Sequence, residues 1–381
     1  MNGSIGSFTG PFSALDFFAG SGLVRLGLQE RFQPVWSNDV CPKKAAFYIA
    51  NFPSQEFVLK DICQVRGEEV PAADLAWASF PCQDLSLAGA MSGMRLGTRS
   101  GLFWQWIRVL DELSANGKRP PVLCAENVVG FLSAGQGSHF RAAYRALRER
   151  GYVAGAVVLD ARWFLPQSRP RAFLIAAAAD LPLVKLTQQA PSGPFHPRSV
   201  IQAANAVDDR EWLWWSLPAP PFRTRAFADI CEVDAPCEPS AKTQRLLKLL
   251  SSRHRAKLKA AIDTKSFLVG TGYRRTRPDE DGIRSQKLEL RFDGIAGCLR
   301  TPEGGSSRQI VLMVNGGSVR SRLLTVRECA RLMGADDNYA LPGSYNDGYR
   351  AMGDAVAVPV TRFLSEHLLA PLARRTNSNA A

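Results

Sequence analysis

Through its first 180 residues the chain repeats one unit: a short apolar run, then a glycine, an acid or a cysteine, then a stretch with helical spacing. Residues Ala14-Leu15-Asp16-Phe17-Phe18 lead into Ala19-Gly20-Ser21-Gly22, and Leu23, Leu26 and Leu28 follow. This reads as strand, tight turn, helix. Pro34 to Asp39 and a helix from Pro42 to Asn51 repeat the unit. Phe57-Val58-Leu59 runs to Lys60-Asp61-Ile62, Leu75-Ala76-Trp77-Ala78 to Ser79-Phe80-Pro81-Cys82, and Val122 to Ala125 to Glu126-Asn127-Val128. Val153–Leu159 and Ala172–Ala179 complete the strands; Phe103–Leu113 and Phe140–Arg150 read as helices. Such alternation predicts an α/β fold, a doubly wound, Rossmann-like, mostly parallel sheet covered on both faces. Ligands of such sheets gather at the carboxyl ends of strands, near the switch in strand order. Asp16, Asp39, Asp61, Cys82 and Glu126 are therefore candidates for one cleft.

Beyond residue 180 the texture changes. Residues 190–240 are rich in proline and tryptophan and show no clear period. Ser240 to Ile262 reads as one basic amphipathic helix, and the cations from Lys242 to Lys265 are answered only by Asp263. Arg274-Arg275-x-Arg277, Arg284, Lys287, Arg291 and the turn-prone Gly304 to Arg308 continue the basic theme. Helical spacing returns from Leu323, and Ala355–Val360 reads as a last strand before a terminal helix and a polar tail. The expected organisation is a catalytic domain over 11–184, a smaller, irregular domain over 185–318, a segment over 319–372 returning to the first, and a disordered tail over 373–381.

Composition narrows the partners. With 46% hydrophobic and 22% charged residues the chain is ordinary for a globular protein, not a fibrous or disordered one. Its net charge of +12 favours a polyanion, nucleic acid ahead of a membrane surface. No apolar run approaches the roughly 20 residues of a membrane span. Met1 to Gly10 lacks the basic and apolar regions of a secretory signal, so a cytoplasmic location is expected. None of the eight cysteines forms a Cys-x-x-Cys pair and the four histidines are scattered, so no metal site is expected.

Phe18-Ala19-Gly20-Ser21-Gly22 after a strand suits a nucleotide-like group, because glycines permit a tight turn and close backbone approach. Asp39 at the second strand end suits ribose hydroxyls, and Asp61 an adenine amino group. Each acid taken alone also fits a helix cap or an exposed strand end. Cys82, between Pro81 and Gln83 just past an apolar strand, is the one cysteine placed as a nucleophile; the other seven read as packing. Glu126 lies at another strand end, where a carboxyl suits general acid work. Arg169 and Arg171, alternate residues of an incipient strand, are expected to point the same way, toward phosphate oxygens or a base carbonyl.

Taken in order, these motifs resemble the DNA (cytosine-5)-methyltransferases. The resemblance runs from Asp16-Phe17-Phe18-Ala19-Gly20-Ser21-Gly22 through Ser37-Asn38-Asp39, Asp61-Ile62 and Pro81-Cys82-Gln83. It continues through Glu126-Asn127-Val128 and Gln167-x-Arg169-x-Arg171. It closes on Leu324-Thr325-x-Arg327-Glu328-x-Ala330-Arg331-Leu332-x-Gly334 and Gly353-Asp354-Ala355-Val356-x-Val358-Pro359.

The resemblance implies methyl transfer from S-adenosylmethionine to carbon-5 of a cytosine flipped out of duplex DNA. Cys82 matches the attacking thiolate, Glu126 the proton donor to ring nitrogen 3, Arg171 the residue on the base carbonyl, and Arg169 a backbone or loop contact. Phe18, Ala19, Gly20, Gly22, Asp39, Asp61, Ile62, Pro81, Leu102, Asp354 and Val356 match donor-binding positions. The loop of residues 84–101, with four glycines, matches a lid over the flipped base. Residues 185–318 match the target-recognition domain by position; Gln83, Ser86, Arg274, Arg275, Arg277 and Arg308 are its DNA-binding candidates, with readers not separable from phosphate holders. Gly353-Asp354 stands where most members have Gly-Asn, and Leu85 where Phe is usual. The implied setting is a bacterial restriction-modification or solitary methylase, a monomer, at the nucleoid when bound to DNA, with any cognate restriction endonuclease acting separately. The rivals are a transfer-RNA cytosine-5 methyltransferase and an inactive DNA-binding module on the same scaffold.

Overall fold

The computed structural model describes residues 12–81, 101–278, 282, 284–300 and 308–378. The chain forms two compact units. The first runs to Asp160, then takes Pro170–Pro220 and the chain from Val358 on; the second is Ala161–Arg169 with Pro221–Ala357. The boundaries expected at 184/185 and 318/319 do not coincide with these.

The first unit is built on seven strands: β1 (Phe12–Phe17), β2 (Phe32–Asp39), β3 (Phe57–Leu59), β4 (Leu75–Ala78), β5 (Val122–Val128), β6 (Tyr152–Asp160) and β7 (Pro170–Ala178). Their order is β3-β2-β1-β4-β5-β7-β6. The first five pair in parallel, and β7 runs antiparallel to both β5 and β6. All four residues of β4 are buried, as its unbroken apolar sequence requires of a strand covered on both faces. Helix α1 (Leu23–Leu28) follows β1 and α2 (Pro42–Asn51) follows β2. The helix Leu102–Ala115 buries Phe103, Trp106, Ile107, Leu110 and Leu113. Their spacing of three and four puts them on one face, which joins the sheet core. A short ribbon pairs β8 (Thr187–Gln188) with β9 (Trp214–Trp215).

Two readings of the C-terminal part are corrected. Ala355–Val360 is not a strand: Val358–Leu364 is a buried helix with Pro359 in its first turn, where a missing N–H costs nothing. An apolar run of this length carries no period that separates a buried strand from a buried helix. The expected disordered tail over 373–381 is also revised, since Ala370–Ser378 is helical, and Arg375 donates to the carbonyl of Val184 at 2.6 Å. Residues 379–381 lie outside the described residues.

The second unit carries an antiparallel sheet of β10 (Phe267–Pro278), β11 (Arg284–Arg291), β12 (Ile310–Asn315) and β13 (Ser318–Leu323), ordered β11-β10-β12-β13. One sheet face packs Leu288, Leu290, Leu312 and Val314 against Leu250, Leu258 and Ala261. The single basic helix expected from Ser240 to Ile262 is instead two, Ser240–Leu247 and Ser252–Asp263. The break lies where the Leu249 carbonyl accepts the Leu288 N–H at 2.9 Å and an extended Ser251 restarts the helix.

Thr325 and Glu328 form a capping box on the helix Val326–Met333. Glu328, fully buried, also meets both terminal nitrogens of Arg322, at 2.6 and 2.7 Å, and the Glu232 N–H at 2.8 Å. Burial pushes the Glu328 carboxyl up, but these bonds outweigh it and hold it below its usual range. A depressed folded-state value means the stabilisation is present above the unfolded value and is lost as pH falls through the folded one. Glu328→Gln leaves Arg322 buried without a counter-charge. It is expected to cost about 3–5 kcal/mol at neutral pH, read as a lower urea midpoint of this unit. An unchanged midpoint would contradict this.

Candidate active site

β1 is central, with β2 and β3 on one side and β4 and β5 on the other, so the strand order switches between β1 and β4. Their ends adjoin: the Ser79 N–H donates to the Phe17 carbonyl at 3.3 Å. Chain leaving β1 turns at once, with Phe18 at φ 60°, Gly20 at 56° and Gly22 at 82°. A phenylalanine in left-handed conformation is strained and persists only when its surroundings hold it, as they do at ligand-binding turns. Here the Ala19 N–H donates to the Asn38 carbonyl at 2.8 Å. A Cβ on Gly22 would come within 2.5 Å of the Phe52 ring, so close approach as well as φ demands glycine.

Asp39, nearly buried, fastens this turn, one oxygen accepting from the Gly20 N–H at 2.9 Å and the other from the Cys41 N–H at 2.8 Å. Each carboxylate oxygen still has lone-pair capacity for a hydroxyl. Behind the turn Arg25 donates to the Tyr48 hydroxyl at 2.8 Å, pairs with Glu56, and lies 5.0 Å from the Phe52 ring centroid. Asp61 is half-buried and accepts from the Cys63 N–H at 2.9 Å; Ile62 beside it is buried. Leu102 is half-buried at the start of its helix, and Pro81 is exposed.

Sequence reasoning placed Asp16 in the cleft but assigned it no ligand. Both its carboxyl oxygens are buried, with no hydrogen-bond partner among the described residues. Burial pushes its pKa up to about 8, with Arg25 pulling it down and Asp39 pushing it further up. A cation beside it would restore its charge. An acid awaiting a cation, a carboxylate able to take hydroxyls and a glycine cradle fit an adenosyl amino acid such as S-adenosylmethionine.

At the end of β5, Glu126 is 6% exposed. β7 is antiparallel to β5 and sets Arg171 opposite Val128. Its Nε then lies 3.0 Å from Glu126 Oε1. Next to Glu126, Asn127 donates to the Phe80 carbonyl at 3.0 Å. That bond holds the chain at Phe80, two residues before Cys82 in the sequence. Cys82, Gln83, Ser86 and the rest of the expected lid through residue 100 lie outside the described residues.

Arg169 and Arg171 take different partners. β7 begins at Pro170, and Arg169, ahead of it, is 2% exposed. Arg169 donates from Nη1 to the Leu299 carbonyl at 2.9 Å and from Nη2 to the carbonyls of Gly353 and Ala355 at 2.8 and 2.6 Å. It ties together backbone of the second unit. Gln167 does the same, accepting from the Leu299 N–H at 3.0 Å and donating to the Leu332 carbonyl at 2.6 Å.

In the second unit Asp354 is exposed and Val356 buried. Arg274, Arg275 and Arg277 lie on β10, and Arg308 donates to Asn346 at 2.6 Å. Among the described residues no helix is long and apolar enough to cross a membrane.

Residues 12–370 match the family model for C-5 cytosine-specific DNA methylases. The chain is 25% identical over 368 residues to the Type II methyltransferase M.MspI of Moraxella sp, covering 95% of this chain and 71% of that protein. It is 28% identical to the Type II methyltransferase M.NlaX of Neisseria lactamica, covering 95% and 97%. Among solved structures, S. pombe Dnmt2 methyltransferase superposes with a TM-score of 0.59 at 17% identity, covering 96% and 99%, a likeness of fold.

Proposed function

The chain belongs to the C-5 cytosine-specific DNA methylase family, and from that premise we propose that Cys82, Glu126 and Arg171 carry the reaction on a cytosine flipped out of duplex DNA. The single observation that most supports this is the Glu126–Arg171 pair at 3.0 Å, at a strand end whose Asn127 holds the Phe80 carbonyl, two residues before Cys82 in the sequence.

A cytosine within a duplex is out of reach, so it must leave the stack. Carbon-5 of the ring is a poor nucleophile. Addition of the Cys82 thiolate to carbon-6 forms a C–S bond and moves the ring electrons toward nitrogen 3, where Glu126 delivers a proton. Carbon-5 is then enamine-like. S-adenosylmethionine would supply an electrophilic methyl group on a sulfonium: carbon-5 takes it as the S–CH3 bond breaks to leave a thioether, and the nitrogen-3 proton returns to Glu126. Loss of the carbon-5 proton restores the double bond and expels Cys82. Arg171 orients the Glu126 carboxyl and offers further N–H donors to the base carbonyl. Phe18, Ala19, Gly20 and Gly22 form the cradle of the donor, with Ile62, Pro81 and Leu102 along it, Asp39 on the ribose and Asp61 at the adenine edge.

The second unit, with its basic strands, is the proposed DNA reader. The net charge and the Type II methyltransferase relatives support a DNA substrate; the setting proposed with it is a monomer acting in the cytoplasm, at the nucleoid when DNA-bound, beside a separately acting cognate endonuclease.

Substrates carrying 5-fluorocytosine test the reading, because fluorine cannot leave carbon-5 as a proton does. With duplex DNA and donor, a stable adduct is expected on the peptide containing Cys82, read as a mass shift. An adduct formed with transfer RNA alone would overturn the DNA assignment, and none with either would overturn the chemistry.

A further inference from the structure

The cations of the second unit do not stand in equivalent surroundings. On β10 and β11 the even positions Leu288 and Leu290 face the apolar core, so the odd positions form the opposite face. That face carries Arg275, Arg277, Lys287 and Arg291, and also Glu289. Arg277 donates from Nε to one Glu289 oxygen at 2.6 Å, and Arg275 Nε lies 3.4 Å from the other. Arg275 also lies 5.3 Å from the Tyr273 ring centroid. The terminal nitrogens of Arg277 take no partner among the described residues, and its side chain is 50% exposed. Arg291 differs: Asp293 takes its Nε and a terminal nitrogen together, at 2.7 and 2.6 Å.

We infer that Arg275 and Arg277, oriented by Glu289, read guanine edges in the major groove, while the cations around them hold phosphate. This rests on the proposal that the chain acts on duplex DNA. Holding Nε fixes the guanidinium plane and turns the two terminal nitrogens outward, the pair of donors that guanine O6 and N7 accept. A carboxylate beside an arginine opposes an approaching phosphate but matters little to a neutral base edge, so Glu289 biases both arginines toward bases. Partial burial pushes the Glu289 carboxyl up, but the Arg277 bond and the two guanidinium charges outweigh it, so the clamp is ionised at neutral pH. Two residues along a strand advance about 6.8 Å, about two base steps of a duplex. The recognised sequence should therefore hold two G·C pairs within two steps of each other.

Bisulfite sequencing of DNA from cells expressing the full chain defines the site. Competition binding then compares that duplex with every single-pair variant of it. Arg277→Ala and Arg277→Lys are both expected to lower discrimination at one G·C pair by about tenfold or more. For Arg277→Lys the salt dependence should be unchanged, because charge is kept and only the fork is lost. Glu289→Gln should tighten binding to non-cognate duplexes and relax discrimination at both pairs. The inference is overturned by a uniform loss with Arg277→Ala, accompanied by a salt slope lower by about one, by full rescue with Arg277→Lys, or by a site without two such pairs. Failure of the underlying reading looks different: the unaltered protein would then trap no 5-fluorocytosine duplex.

Discussion

Cys82→Ala and Cys82→Ser are expected to reduce methyl transfer by a factor on the order of 10³ or more, while affinity for the duplex stays within a few-fold. Activation of carbon-5 depends wholly on adding a strong nucleophile at carbon-6, and a serine hydroxyl is too weakly acidic to supply one at neutral pH. Cys124, two residues before Glu126, is fully buried, and burial with the nearby Glu126 charge pushes its thiol well above its usual range. Cys329 is likewise buried with its thiol pushed up. Radiolabelled methyl incorporation and filter binding on the same preparations check both halves. A variant with a tenth of normal activity would remove covalent catalysis from the account.

The sheet was legible because its signal is local and repeated. Each strand is a short apolar run closed by a polar residue, and the sites fall where those runs end. Gly20, Gly22 and Asp39 could be read one at a time, since the turn needs left-handed backbone and the acid lies at a strand end. What escaped were features made by distant partners. For Arg169 the resemblance implies a backbone or loop contact, but no local pattern says that its partners are carbonyls 130 to 186 residues away. The role of Glu328 likewise depends on Arg322 and the Glu232 backbone, which no local period reveals. The basic segment from Ser240 reads as one helix because charge and leucine spacing continue through the break. What divides it is a bond from β11. Glu289 stands in the sequence amid arginines with no motif of its own, and only the strand register puts it on the same face as Arg275 and Arg277.

Glu126→Gln carries the second large effect. The amide keeps the volume of the carboxyl and can still accept from Arg171 Nε through its oxygen, so the pair on β5 and β7 should retain its geometry. What is lost is the proton for ring nitrogen 3. General acid catalysis typically contributes 10²–10⁴-fold, and kcat is expected to fall by about that factor, with KM for the donor nearly unchanged. The loss should appear before methyl transfer. Adduct formation on 5-fluorocytosine should slow in the same proportion, because thiolate addition is favourable only if the ring electrons are neutralised as they move. A purely structural role for Glu126 makes a different pattern: a lower urea midpoint, weaker donor binding and an unchanged trapping rate in the folded fraction. Arg171→Lys separates the two further, because it keeps a cation near Glu126 and removes the planar fork. If orientation of the carboxyl is what Arg171 supplies, that variant slows trapping without shifting donor KM; if only charge matters, trapping proceeds at the normal rate.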